Sequence, residues 1–126
     1  MKRDMDLIRD LMKHIEDDPQ LDGTRWTPIT DPKQLGIARH SMDEVAYCLR
    51  TLIEEGLVEG EMSADAIPTI ARLTWDGHEF LANIKDDTVW AKTKDHALGV
   101  VQSASLSVLV NIAQTVILRI IGQRPL

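Results

Sequence analysis

Cysteine occurs once in this chain, at Cys48. No intrachain disulfide can form, and a reducing cytoplasm is the expected compartment. Cations are short: fourteen Lys and Arg stand against twenty Asp and Glu, a net charge of −6, which works against sequence-independent binding to phosphate backbones. The opening MKRDMDLIRD is charged where a secretory signal needs its apolar region, so no leader is expected there. Histidines stand at 14, 40, 78 and 96, none spaced with a second His, Cys or carboxylate as a zinc site requires. No metal, cofactor or catalytic constellation is therefore expected, and an enzyme finds no motif to rest on. What is present is ordinary: 126 residues, 44% hydrophobic and 27% charged, enough for one globular domain with a modest core and an appendage.

Hydrophobic spacing lays out the elements. Met5, Ile8, Leu11, Met12 and Ile15 form the apolar stripe of a helix from Arg3 to Glu16, which Asp17, Asp18 and Pro19 end. Arg25 to Ile29 reads as a short strand anchored by Trp26, weakened because Pro28 cannot donate to a ladder. Asp31-Pro32 signals a helix start, yet Gly36 limits it to about one turn. A helix-turn-helix needs a full helix there to brace its recognition helix across the DNA backbone. Ser41 and Glu44 have capping-box spacing, and Met42, Val45, Ala46, Leu49, Leu52 and Ile53 give the buried face of the helix that Gly56 closes. Leu57–Glu61 and Thr69–Leu73 then read as two strands around a tip at Met62–Pro68. The tip with its flank, GEMSADAIP over residues 60–68, contains Glu61 and Asp65 and has no Lys or Arg to offer to a phosphate.

The stretch Arg72 to Trp90, RLTWDGHEFLANIKDDTVW, is the centre of the pattern. Thr74 offers its hydroxyl as N-cap to a helix beginning at Trp75, and Gly77 lets that helix lie close against the strand it came from. Phe80, Leu81 and Ile84 bury one face, and Asp86-Asp87 recaps a second helix bearing Val89 and Trp90. The Leu-Thr strand exit resembles the end of the wing in winged-helix proteins. The GHEFL and DDTVW blocks, with MKRDMDLIRDLM and EVAYCLRTLIEEGLVEG, resemble the bacterial and phage domain of unknown function 2513 family, over most of residues 1–90. That resemblance implies a winged-helix-like core. The family usually has His after the Tyr, where this chain has Cys48.

The expected architecture is α+β: mostly helical with a small β-hairpin, a winged helix-turn-helix-like core over residues 1–90 and C-terminal helices over 91–126. Trp26, Leu49, Leu52, Leu57, Leu73, Phe80 and Leu81 are the expected core. From Ala97 to Leu118 the sequence carries no charge, and Gly99 with Ser103, Ser105 and Ser107 suggests a break before the last helix. Gln102, Asn111 and Gln114 interrupt what would otherwise be long enough to cross a bilayer. Leu106, Leu109, Val110, Ala113, Val116, Ile117, Ile120 and Ile121 form a wide stripe, read as a homo-oligomer interface ahead of packing on its own domain and of membrane contact.

Three groups could do chemistry or bind. Arg39, His40 and Arg50 are the candidate nucleic-acid contacts, against which stand Asp43, Glu44, Glu54 and Glu55. His78, beside Asp76 and Glu79, is the most tempting ligand or acid–base residue, although such residues in a first helical turn are usually caps and solvated surface. Cys48, beside a buried helix face, reads as a packed thiol rather than a nucleophile. The expected function is non-enzymatic: a phage- or prophage-type regulatory or accessory module working through protein–protein contact and self-association. A DNA-binding regulator is the first alternative, and a small membrane-associated protein acting through residues 97–121 the second.

Overall fold

In the computed structural model, residues 1, 3–100 and 106–123 are described, without the side chains of 96–100, 106–108 and 120–123. The fold is α+β, mostly helical with one three-stranded antiparallel sheet. The chain divides into two compact units, Met1–His78 and Glu79–Leu126.

The first unit opens with α1, Met5–Asp17, whose buried side chains are Leu7, Ile8, Arg9, Leu11, Met12 and Ile15. Asp4 caps it by accepting the Leu7 N–H at 3.0 Å, a cap the periodicity did not reveal. Strand β1 is only Thr27–Pro28 and lies at one edge of the sheet. A proline without an N–H fits there. Trp26, expected in the core, is instead 49% exposed. Thr27 pairs with the buried Ile70, so its chain neighbour Trp26 falls on the opposite face of the pleat.

One turn of 3-10 helix, Pro32–Leu35, follows, as the early glycine predicts. Asp31 and Gln34 form its capping box, and Gly36 ends it in the left-handed region at φ 68°. The His14 ring lies over that glycine, so that a Cβ at residue 36 would come within 2.6 Å of it. The expected long helix is α2, Met42–Glu54, with Ser41 and Glu44 closing the capping box. Val45, Cys48, Leu49 and Leu52 are its buried residues, while Met42, Ala46 and Ile53 are only partly covered.

Strands β2, Val58–Met62, and β3, Pro68–Leu73, form the expected hairpin, and β3 is the central strand in the order β1-β3-β2. Their pairing slips between Glu59↔Arg72 and Gly60↔Ile70, which leaves Ala71 without an opposite residue on β2. The Ala71 carbonyl instead accepts the Gly23 N–H at 3.0 Å, tying the loop after α1 to the sheet. Leu49, Leu52, Leu57 and Leu73 are buried as expected.

Helix α3, Trp75–Ile84, starts where expected. Thr74 Oγ1 accepts the Gly77 N–H at 3.0 Å and donates to the Gly56 carbonyl at 2.6 Å. Gly77 is needed for close approach, but the neighbour is not β3. A Cβ there would meet the Leu57 carbonyl oxygen, on the segment entering β2, at 2.1 Å. The reason is local: that same carbonyl accepts the Thr74 N–H at 3.0 Å and draws the helix start onto it.

In the second unit, Asp86 caps α4, Asp87–Val100, by accepting the N–H groups of Thr88 and Val89, and α5 spans Leu106–Gln123. The break expected around Ser103 and Ser105 falls on residues outside the described ones. Helices α4 and α5 pack along each other. Buried here are Phe80, Leu81, Ile84, Val89, Trp90, Leu109, Ala113 and Val116.

Candidate functional site

The start of α2 holds a polar cluster around His40, one of the candidate nucleic-acid contacts. His40 precedes the Ser41 cap, and its Nδ1 lies 2.8 Å from Glu44 Oε2 and its Nε2 4.0 Å from Asp4 Oδ2. Glu44 meanwhile accepts the Ser41 N–H and hydroxyl through Oε1. His40 is therefore engaged by the carboxylates that cap α1 and α2, not presented outward. The hydrogen bond from His40, followed by that from the Ser41 backbone, holds the Glu44 carboxyl below the ordinary 4.5 of glutamate. A lowered carboxylate favours the folded state above its ordinary value, and that contribution fades as pH falls through the lowered one. In a side-chain NMR titration Glu44 should protonate below the usual glutamate range, and His40→Ala should raise its midpoint. An unmoved midpoint in the variant would show that the contact does not hold in solution.

Two further cations also lie beside acids. Arg50 Nε is 3.0 Å from Glu54 Oε1, both side chains well exposed, and Arg72 at the hairpin base is 3.1 Å from Glu59. Arg39 is exposed in the loop before α2. The hairpin tip closes on itself, the Ser63 N–H donating to the Ile67 carbonyl and the Ala66 N–H to the Ser63 carbonyl; it carries Asp65, with Glu61 just before it on β2.

Cys48 is 2% exposed, and burial pushes its thiol up to about 11. A thiol in that state is the packed small hydrophobe expected from its position. His78 does not gather the acids near it in sequence. Its Nδ1 lies 3.1 Å from Glu16 Oε2, clipping the start of α3 to the end of α1. That pairing spans 62 positions, so no local pattern could have revealed it. Among the described residues, no three or more His, Cys, Asp or Glu are placed to hold a metal ion.

Two large aromatics stand out on the first unit: Trp75 is 74% and Trp26 49% exposed. On α5, Leu109, Ala113 and Val116 are already buried within one chain, so its stripe has less surface to offer than its sequence suggests. Val110 and Ile117 are partly covered, and Leu118 is 69% exposed. The side chains of Leu106, Ile120 and Ile121 lie outside the described ones. No helix among the described residues is long and apolar enough to cross a membrane.

These features define a small α+β protein with a hairpin-bearing first unit and a helical second one. Residues 2–103 match the model of the family described as "Hypothetical protein (DUF2513)", and the chain belongs to that family. It is also similar to an uncharacterized protein of Haemophilus influenzae, 33% identical over 120 residues that cover 93% of this chain and 96% of that protein. No solved structure matches it.

Proposed function

We propose that this is a non-enzymatic, winged-helix-like protein of phage or prophage type that acts through protein–protein contact and homo-oligomerisation, as a regulatory or accessory module. The observation that carries the reading is the state of the would-be DNA-reading surface. His40 sits between Asp4 and Glu44, Arg50 beside Glu54, and the hairpin tip offers acids where a groove-tracking wing offers cations. Exposed Trp75 and Trp26 add support, since exposed tryptophan is typical of the anchors that protein partners bury. The self-association part rests on Val110, Ile117 and Leu118, apolar surface that α5 retains beyond its packing within the chain.

The alternative, a DNA-binding regulator, is favoured by the order of helix, short strand, turn, helix and hairpin, with the first strand joining the hairpin in the order β1-β3-β2. Fold alone does not decide between them. Membrane association ranks below both, as contact with a surface. A titration with non-specific duplex DNA at moderate salt separates the first two. Affinity no tighter than about 10⁻⁴ to 10⁻⁶ M, the usual non-specific range, supports the protein-contact reading. Tight, salt-sensitive binding that Arg39→Ala and Arg50→Ala abolish would replace it with the alternative.

A further inference from the structure

Three helix ends meet at one corner of the first unit. Thr74 ties the start of α3 to the end of α2, its N–H donating to the Leu57 carbonyl and its hydroxyl to the Gly56 carbonyl. One turn later His78 ties the same helix to the end of α1, its Nδ1 lying 3.1 Å from Glu16 Oε2. Trp75 stands between these two ties, three residues before His78 and so on the same flank of α3. It is nonetheless 74% exposed, the most exposed large apolar residue among the described ones.

The charge at this corner runs against the stability of the helices that form it. A helix C-terminus is the negative end of the macrodipole and favours cations. Here α1 closes with Glu16, Asp17 and its cap Asp18, and α2 closes with Glu54 and its cap Glu55 and has no basic residue in its last turn. Asp76 adds a carboxylate in the first turn of α3. The nearby cations answer only part of this. Arg50 lies beside Glu54, and Lys13 precedes Glu16 by one turn. Arg72 is taken up by Glu59, and His14, in the last turn of α1, lies over Gly36 instead. Six carboxylates less Lys13 and Arg50 leave the corner at −4 with His78 neutral.

The two features together select a ligand. An apolar anchor alone has no use for the acids, and a bare cation has none for the indole. An arginine side chain uses both, because its flat guanidinium stacks on tryptophan and its charge is drawn and held by carboxylates. Anionic partners, nucleic acid among them, are repelled.

We propose that this corner docks an arginine-bearing segment of a partner protein, one guanidinium stacking on Trp75 and further cations of the segment facing the acids at the ends of α1 and α2. This rests on the protein-contact reading and gives it a place and a chemical class of partner.

The test is fluorescence anisotropy with the full chain and a labelled peptide alternating Arg and Gly, beside matched Lys and Glu peptides, with circular dichroism as the folding control. The Arg peptide is expected to bind most tightly and the Glu peptide not at all, with affinity falling as salt rises. Trp75→Ala should weaken the Arg peptide by about five- to tenfold, and Trp75→Phe should restore most of the loss. Asp17→Asn with Glu55→Gln should weaken it by about threefold or more and flatten the salt dependence. Both carboxylates stand where the macrodipole disfavours them, so the fold is expected to survive their loss. Trp26→Ala should change nothing. Wild-type affinity in Trp75→Ala, or an equal loss in Trp26→Ala, overturns the site. A chain that ignores both the Arg peptide and duplex DNA loses this site and keeps the protein-contact reading, whereas one that binds duplex tightly loses both. An oligomer that dissociates in high salt and in Trp75→Ala would replace the partner protein with Lys92, Lys94, Arg119 and Arg124 of a second copy.

Discussion

Gly77→Ala should cost about 3 kcal/mol of folding stability, the upper part of the range for overpacking, because the clash is with backbone. The added Cβ would lie 2.1 Å from the Leu57 carbonyl oxygen, and no rotamer change relieves it. Helix α3 must retreat, which loosens the Thr74 N–H bond to that carbonyl and the Thr74 hydroxyl bond to Gly56. At this chain length such a loss corresponds to a fall in Tm on the order of 10 °C. Gly56→Ala is the matched comparison. Unlike Gly77, Gly56 is in the left-handed region, at φ 73°, but a Cβ there meets nothing within 4 Å, so its cost is conformational alone, about 1–2 kcal/mol. Urea melts of the two variants check this, and a Gly77 variant no weaker than the Gly56 variant would show that the α3 start does not bear on Leu57 in solution.

The second large effect is expected on assembly. Val110→Asp combined with Ile117→Asp should turn the oligomer into a smaller species while the first unit stays folded. Neither residue belongs to the buried row of Leu109, Ala113 and Val116, so α5 keeps its packing within the chain. Burial of a Val or Ile side chain is worth about 1.5–3 kcal/mol, and here the loss is suffered by both copies and compounded by buried carboxylates. A weakening of roughly 10³-fold or more follows at about 1.4 kcal/mol per decade. Sedimentation velocity, with circular dichroism as the folding control, reads it directly. Retention of the wild-type mass by the double variant would move the interface off α5.

The parts of the fold that local chemistry specifies were legible in the sequence. Ser41 with Glu44, Thr74 before Trp75, and Asp86 before Thr88 each supply a cap within three residues of the donors they satisfy, and all three helices begin there. The hairpin followed from two apolar runs flanking a polar tip. The exposure of Trp26 is not legible in the sequence because a two-residue strand is too short for its alternation to declare which side faces inward. Gly77 was legible as a glycine needed for close approach, yet its neighbour is set by the pairing of Thr74 with Leu57, which only the closed sheet creates. The clasp of His78 on Glu16 and that of His40 on Asp4 join residues far apart in the chain, so spacing could not announce them. On α5 the breadth of the apolar stripe was readable, but its division into buried residues (Leu109, Ala113, Val116) and partly covered ones (Val110, Ile117) depends on α4 lying along it.

The most direct measurement of the central claim is the molar mass of the full-length chain, without detergent, by light scattering across a dilution series. Self-association through α5 predicts a multiple of 14.2 kDa at high concentration that falls toward 14.2 kDa on dilution. A mass of 14.2 kDa at every concentration would contradict it.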